Sequence, residues 1–417
     1  VDVNWAFKKI LDRSISIGIR TGTFTVIWPD GSSTRYGDDH DPQAAVEIRD
    51  WATVRRLALN PALAFGEAYM DQGVYLLNGS IHEVLSLLLM NVNKHWHEVP
   101  VLHWNTVLQQ ALRPFLRAND AKRSRRNVAH HYDLNGRLYS LFLDRDRQYS
   151  CGYFPLGDES LEAAQAAKKR HIAAKLKLDR PGLTVLDIGC GWGGMALTLA
   201  RDYGAEVTGI TLSEEQLHEA RARATAEGLD RLVNFELLDY RNLNQQFDRI
   251  VSVGMFEHVG IPNYLEFFSV IRRSLKPDGV ALVHSIGRMR GPSATNQWIA
   301  KYIFPGGYSP ALSEVLGPVE KSGLITTDIE ILRLHYAKTL AQWRFRFAAN
   351  RDAIAALYDE RFCRMFEFYL SVSELSFRIG HHMNFQIQLT RDLDTLPINR
   401  DYMRSHRPGP VGSVSEA

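Results

Sequence analysis

The run Val185-Leu186-Asp187-Ile188 leading into Gly189-Cys190-Gly191-Trp192-Gly193-Gly194 constrains this chain more than any other stretch. An apolar, β-type segment enters a glycine-dense turn, and residues 195–203 then read as a helix. Glycine is needed where the backbone takes angles closed to other residues. It is also needed where main chain must approach a ligand closely, beside helix N–H groups that attract negative charge. A strand, turn and helix of this form is a nucleotide-cofactor crossing.

The residues that follow narrow the ligand. A phosphate-gripping loop ends in Gly-Lys-Ser/Thr, which is absent here, and a dinucleotide site wants an acidic residue about 20 positions on for the ribose. The second strand, residues 206–210, ends instead in Thr211, and Ser213-Glu214-Glu215-Gln216 opens the next helix with a capping-box pattern. A third apolar strand, residues 232–237, leads into Leu238-Asp239-Tyr240. With Asp187-x-Gly-x-Gly before it, this arrangement resembles the S-adenosylmethionine site of class I methyltransferases. A Rossmann-like fold with another ligand is the alternative.

Further strand patterns at 247–253 and 280–285 alternate with helical ones, which predicts a parallel sheet with helices on both faces. Before it, residues 14–37 alternate apolar and polar around Pro29-Asp30-Gly31, a hairpin signature, and 44–48 read as another strand. Residues 51–59, 62–72 and 80–92 read as amphipathic helices, so that strands precede helices in a small α+β domain. The expected fold is thus α/β, a Rossmann-like class I methyltransferase sheet preceded by a smaller α+β N-terminal domain. The expected division is 1–118 for the N-terminal domain, which supports lipid or membrane association or a dimer. A basic linker at 119–127, a catalytic domain at 128–395 and a mobile tail at 396–417 follow.

At 417 residues, 45% hydrophobic and 23% charged, the chain has the make-up of an ordinary globular protein of two domains. Its formal charge of +2 says little, but two basic clusters stand out. Lys122, Arg123, Arg125 and Arg126 form one, and Lys168, Lys169, Arg170, Lys175, Lys177 and Arg180 the other. They read as solvated helix faces and a linker, or else as attraction to an anionic surface. No nucleic-acid motif accompanies them, so nucleic acid is not an expected partner. Three scattered cysteines suit a reducing cytosol and make neither a disulfide framework nor a zinc site. The most apolar stretch, 84–90, is too short to span a bilayer, and nothing at the start reads as a signal peptide. The chain opens on Val1 rather than methionine, and a short preceding segment is expected. Adjacent His130 and His131, or His381 and His382, lack the spacing that puts two ligands on one helical face, so no metal is expected.

Several further motifs flank the glycine turn: Ala129-His130-His131-Tyr132-Asp133-Leu134, Tyr149-Ser150-Cys151-Gly152-Tyr153-Phe154, Gly254-Met255-Phe256-Glu257-His258-Val259-Gly260, His284-Ser285-Ile286-Gly287 and His335-Tyr336-Ala337-Lys338-Thr339-Leu340. On these the chain resembles the cyclopropane-fatty-acyl-phospholipid synthases and the related mycolic acid cyclopropane synthases. The likeness runs from about residue 125 to 390 and more loosely through Gly66-Glu67-Ala68-Tyr69-Met70.

The resemblance implies transfer of the sulfonium methyl of S-adenosylmethionine to a cis double bond of a phospholipid acyl chain, then proton removal to close a cyclopropane ring. It implies a bound bicarbonate ion as base, held by Cys151, Glu257, His284, Ile286 and Tyr336. Imidazole, phenol and main-chain N–H can donate to an oxyanion, and Glu257 can accept the bicarbonate hydroxyl proton. For the cofactor it implies Gly189 and Gly191 at the methionine end, with Tyr132, Tyr149 and Ser150 closing over it. Thr211 and Gln216 fall near the ribose, and Asp239 and Tyr240 at the adenine. Asp187 is expected to orient the loop. It further implies a cytoplasmic homodimer in peripheral contact with membranes of unsaturated phospholipid.

Developing positive charge on the acyl chain favours aromatic faces and a water-poor pocket. Tyr149, Tyr153, Phe154, Phe256, Tyr302, Phe304 and Tyr308 are candidates, each with core packing as the alternative. Trp298, Ile299, Tyr302, Ile303 and Phe304 have helical spacing and read as an acyl-channel lining or a core helix. Alternatives for the whole chain are a lipid C-methyltransferase giving methylene- or methyl-branched chains, a small-molecule N-methyltransferase, and a non-catalytic lipid-binding protein.

Overall fold

The computed structural model describes residues 2–95 and 136–405. Tyr132, the paired His130 and His131 and the basic linker lie outside them. The chain divides into two compact units that are not continuous in sequence. One comprises Val1–Leu116, Ser293–Pro305 and Leu340–His381, the other Arg117–Pro292, Gly306–Thr339 and His382–Ala417. This differs from the unbroken catalytic stretch of 128–395 expected above: two insertions into it pack with the N-terminal region.

The first unit holds a four-stranded sheet of order β2-β1-β3-β4, with β1 Thr23–Ile27, β2 Ser33–Gly37, β3 Gln43–Ile48 and β4 Val74–Leu76. The hairpin β1–β2 turns at Pro29-Asp30-Gly31, where the Asp30 carboxylate accepts from the Ser32 N–H and Gly31 has φ +79°. A helix, Val3–Gly18, precedes it and corrects the expectation that strands come first. Leu11 is buried, and Phe7 and Ile15 pack on the same core, a four-residue period that prevails over the β-type composition of its last turn. In the helix Pro61–Met70, a Cβ on Gly66 would lie 2.5 Å from the Trp298 indole nitrogen. Trp298 is fully buried in the helix Gln297–Tyr302, its ring 4.5 Å from that of Phe368. Glu67 accepts from Lys301 and Tyr302, and Tyr69 donates to Glu367. The Gly66-to-Met70 motif is thereby a packing device, and Trp298 is a core residue.

The second unit is built on a seven-stranded sheet of order β10-β11-β9-β8-β5-β6-β7. Its strands are β5 Thr184–Ile188, β6 Glu206–Thr211, β7 Val233–Leu237, β8 Phe247–Val253, β9 Leu275–Arg288, β10 Ile325–Ile331 and β11 His382–Thr390. The first five are parallel, as their alternation with helices predicts. β11 runs antiparallel between β9 and β10, and neither it nor β10 was expected. Both faces are covered: Leu186, Ile188, Ile250 and Val283 join one buried cluster, Val185, Val251 and Leu282 the other. Strand order reverses between β5 and β8, and a crevice opens at the carboxyl ends of strands at such a point.

Three lysines of the second basic cluster contradict both surface readings, since Lys168, Lys169 and Lys175 are buried in the helix Leu161–Lys175. Lys169 pairs with Asp146 and Lys175 with Glu330, an environment that charge pattern alone does not disclose. The segment from Asn399, expected to be mobile, is docked as far as it is described. Arg400 pairs with Asp328, and Gln388 donates to the Tyr402 hydroxyl.

Gly66→Val should destabilise the first unit by about 1–3 kcal/mol, because branched carbon must displace Trp298. A lowered melting midpoint with an unchanged far-ultraviolet spectrum is the expected result.

Candidate active site

The crevice is real: a cavity of about 160 Å³ lies at the ends of β5, β6, β7 and β8. Gly189, Gly191 and Gly193 take φ of +82°, +54° and +84°, which lets the turn fold back on β6 before the helix Gly194–Tyr203 begins. Gly194 has a different role. A Cβ there would fall inside the side chains of Asp146 and Gln148, so its absence admits the strap 146–151 against the helix start. Asp146 is held by Lys169 and Arg223, and the helix Leu161–Lys175 fixes the rest of the strap. Gln165 donates to the carbonyls of Gln148 and Ser150, and Lys168 to the Gln148 and Ser150 side chains.

Eight of the nine expected cofactor residues line this one cavity: Tyr149, Ser150, Gly189, Gly191, Thr211, Gln216, Asp239 and Tyr240. The ninth, Tyr132, lies outside the described residues. The Thr211 hydroxyl donates to the Gln216 side-chain oxygen at 2.9 Å, leaving the amide N–H groups of Gln216 for a ligand. Ser213 caps the helix that carries Gln216, as the capping-box pattern predicts. Asp239 accepts from the Arg241 guanidinium through both oxygens, and its Oδ1 also accepts from the Arg241 main-chain N–H, which fixes the carboxylate at the cavity wall.

Asp187 does more than orient the loop. It lines the cavity, one carboxylate oxygen has no partner among the described residues, and burial pushes its pKa up to about 7. His258 also lines the cavity and was missed; burial lowers it to about 4, so it is neutral at physiological pH. Its place beside Glu257, just beyond β8, was the signal that could have found it. Of the seven aromatic candidates only Tyr149 lines the cavity. Phe256 is core, Tyr153 stacks between His171 and His335, and the Tyr308 hydroxyl donates to Glu314.

The five residues expected around an anion are not among those lining the cavity, and they divide into two groups. Glu257 lies in a turn after β8, and its Oε1 accepts from the Ile286 N–H at 2.7 Å. That N–H was expected to serve an anion directly; here it holds the carboxylate instead. Glu257 Oε2 is buried without a partner among the described residues, and burial raises the acid to about 7. His284 sits two residues before Ile286 on β9, on the same face of the strand. Burial lowers its pKa to about 3, so the ring is neutral with one N–H. The second group is Cys151 and Tyr336, on segments pinned where the Gly152 N–H donates to Thr339 and the Phe154 N–H to His335. Cys151 is buried, and burial pushes its thiol up, so it is a neutral thiol rather than a nucleophile.

Residues 119–387 match the family described as mycolic acid cyclopropane synthetase, well over half of the chain. The chain belongs to that family. Residues 6–99 match a second family, described as a domain of unknown function. Cyclopropane-fatty-acyl-phospholipid synthase of Escherichia coli is 39% identical over 353 residues, 84% of this chain and 89% of the relative. Tuberculostearic acid methyltransferase UfaA1 of Mycobacterium tuberculosis is 35% identical over 382 residues, 88% of this chain and 87% of the relative. Among solved structures, mycolic acid cyclopropane synthase CmaA1 complexed with SAH and CTAB superposes with a TM-score of 0.60 at 35% identity, covering 64% of this chain and 97% of that one. The fold is therefore that of class I methyltransferases, and this member of the family is an S-adenosylmethionine-dependent methyltransferase.

Two outcomes are expected. Gly194→Val should weaken S-adenosylhomocysteine binding at least about ten-fold, roughly 1.4 kcal/mol by titration calorimetry, because the strap is driven from the helix start. Glu257 gives a pH signature: its folded pKa of about 7 lies above the ordinary 4.5, so the folded chain binds a proton that the unfolded chain does not. The contribution to stability therefore grows as pH falls through 7. Between about pH 8 and pH 5 wild type should gain roughly 2–3 kcal/mol relative to Glu257→Gln in denaturant titrations.

Proposed function

We propose that the chain transfers a methyl group from S-adenosylmethionine to a cis double bond in a phospholipid acyl chain and closes a cyclopropane ring, with bicarbonate as base. The broader activity, S-adenosylmethionine-dependent lipid modification, follows from the family and its relatives. The observation that carries the finer reading is the buried Glu257, in the turn after β8, held by the Ile286 N–H two residues beyond the buried His284 on β9.

Neutral His284 has one donor and one acceptor nitrogen, yet an amide nitrogen faces each: Gln386 Nε2 at 3.1 Å from Nδ1, and Asn384 Nδ2 at 3.3 Å from Nε2. Both contacts cannot stand as donations to the ring. Turning the Asn384 amide so that its otherwise unpartnered Oδ1 faces the ring satisfies both: Nδ1 accepts from Gln386, and the Nε2 proton goes to Asn384. Glu257 Oε2, lacking a partner among the described residues, is the acceptor for a hydroxyl proton. Cys151 and Tyr336 would add a thiol and a phenol, and Ile286 fixes the carboxylate. Bicarbonate held there would supply a base weak enough to coexist with a sulfonium and strong enough to take a proton from the methylated chain. Thr211, Gln216, Asp239 and Tyr240 would hold the ribose and adenine, and Tyr149 and Ser150 the methionine end.

The substrate lies in a bilayer, and among the described residues no helix is long and apolar enough to cross one. We take the enzyme to act in peripheral contact with the membrane, on its cytoplasmic side and as a homodimer. A second reading, methyl transfer without ring closure, is favoured by the likeness to tuberculostearic acid methyltransferase.

Vesicles of cis-unsaturated phospholipid incubated with labelled S-adenosylmethionine and bicarbonate should sediment with the protein, gain the mass of one CH2 and lose their alkene protons. Saturated vesicles should not react. A gain with an olefinic proton retained, or a saturated methyl branch, would establish the second reading. Glu257→Gln should lower kcat roughly 10²-fold, the scale of general acid–base assistance.

A further inference from the structure

Lys168 is fully buried, yet its ammonium donates only to neutral partners, Gln148 Oε1 at 2.6 Å and Ser150 Oγ at 2.8 Å. Its neighbours in the basic cluster differ: Lys169 and Lys175 each meet a carboxylate directly. An ammonium carries three donors, and among the described residues two of these are engaged. A buried charge without a contacting counter-ion is costly, and Lys168 retains its proton at neutral pH, its pKa being lowered only to about 8. Ser150, which it grips, is followed directly by Cys151. Its charge acts on both groups expected around the base: it draws the Cys151 thiol back down against burial, and after burial it is the largest influence holding His284 neutral.

We propose that Lys168 is the buried counter-charge of the anion site, held by the Gln148–Ser150 strap so that its field offsets the negative charge of an ion seated beside Cys151 and His284. This rests on the reading of that ion as bicarbonate. Lys168 is a positioning residue: it acts through the strap and through space, and it ties the cofactor cavity to the anion site. Asp144, Asp146 and Asp187 share its surroundings and keep the region from being strongly positive when no anion is present.

The test uses binding, read by 13C NMR of labelled bicarbonate added to the full chain saturated with S-adenosylhomocysteine. Lys168→Gln keeps a donor toward Ser150 and removes the charge, whereas Lys168→Arg keeps the charge. Lys168→Gln should lose about ten-fold or more in bicarbonate affinity, the scale of one unit charge at partly screened distance. Its S-adenosylhomocysteine affinity should fall clearly less than its bicarbonate affinity, since Gln165 still holds the strap, and Lys168→Arg should bind bicarbonate within about three-fold of wild type. Unchanged bicarbonate affinity in Lys168→Gln would overturn the inference, as would parallel loss of both ligands in the two variants. A Lys168→Gln chain that does not fold would also count against it, since it would show a structural role. A wild-type chain that binds no bicarbonate would instead overturn the base reading itself, and this inference with it.

Discussion

The cavity depends on a carbon atom that is not there. Because Gly194 has no Cβ, Asp146 and Gln148 reach the first turn of the helix that follows β5, and the strap 146–151 can lie over the glycine turn. Beside that close approach Tyr149 and Ser150 face the cavity, while Cys151 is buried away from its lining, next to Gly152 whose N–H donates to Thr339. Lys169 and Arg223 clamp Asp146 from two helices, so the strap is fixed by charge as well as by fit. A reactive methyl donor benefits from rigid walls, because rate depends on holding the reacting atoms in near-attack geometry.

Local signals were legible and long-range ones were not. The glycine turn, Thr211 with Gln216, and Asp239-Tyr240 each lie within a few residues of a strand end, so the sequence places them on one sheet edge without knowledge of the fold. Asp187 was read only as a loop-orienting residue and His258 went unassigned, because their place at the cavity shows in an unsatisfied oxygen and in burial, neither of which has a sequence pattern. The helix Leu161–Lys175 misled for the same reason. Six basic residues within 168–180 suggest water or an anionic surface, but three of them are buried. β10 and β11 were overlooked because β11 pairs with β9 from about a hundred residues away, and its Asn384, Gln386 and Gln388 look polar until His284 and Lys175 are found opposite.

The two units share a chain that passes between them more than once. The helix His335–Ala349 begins in one and ends in the other, with Tyr336 and Thr339 in its first turn. A continuous division could not be corrected from composition, because residues 293–305 and 340–381 are no different in character from their neighbours. Their partners identify them: Trp298 with Gly66, and Glu374 with His82 and Arg344.

The position of β11 has a consequence for how the enzyme comes into being. The strands that frame the cofactor cavity are complete by Val253, but the slot between β9 and β10 waits for His382–Thr390, far later in the sequence. During synthesis, therefore, a nascent chain can assemble a place for the methyl donor long before it owns Asn384 and Gln386, which set the state of His284. An unfinished polypeptide of this kind carries the cofactor's cradle but not the machinery that would finish a reaction. Of the described strands β11 comes latest in the sequence, and it alone brings the polar side chains that face His284.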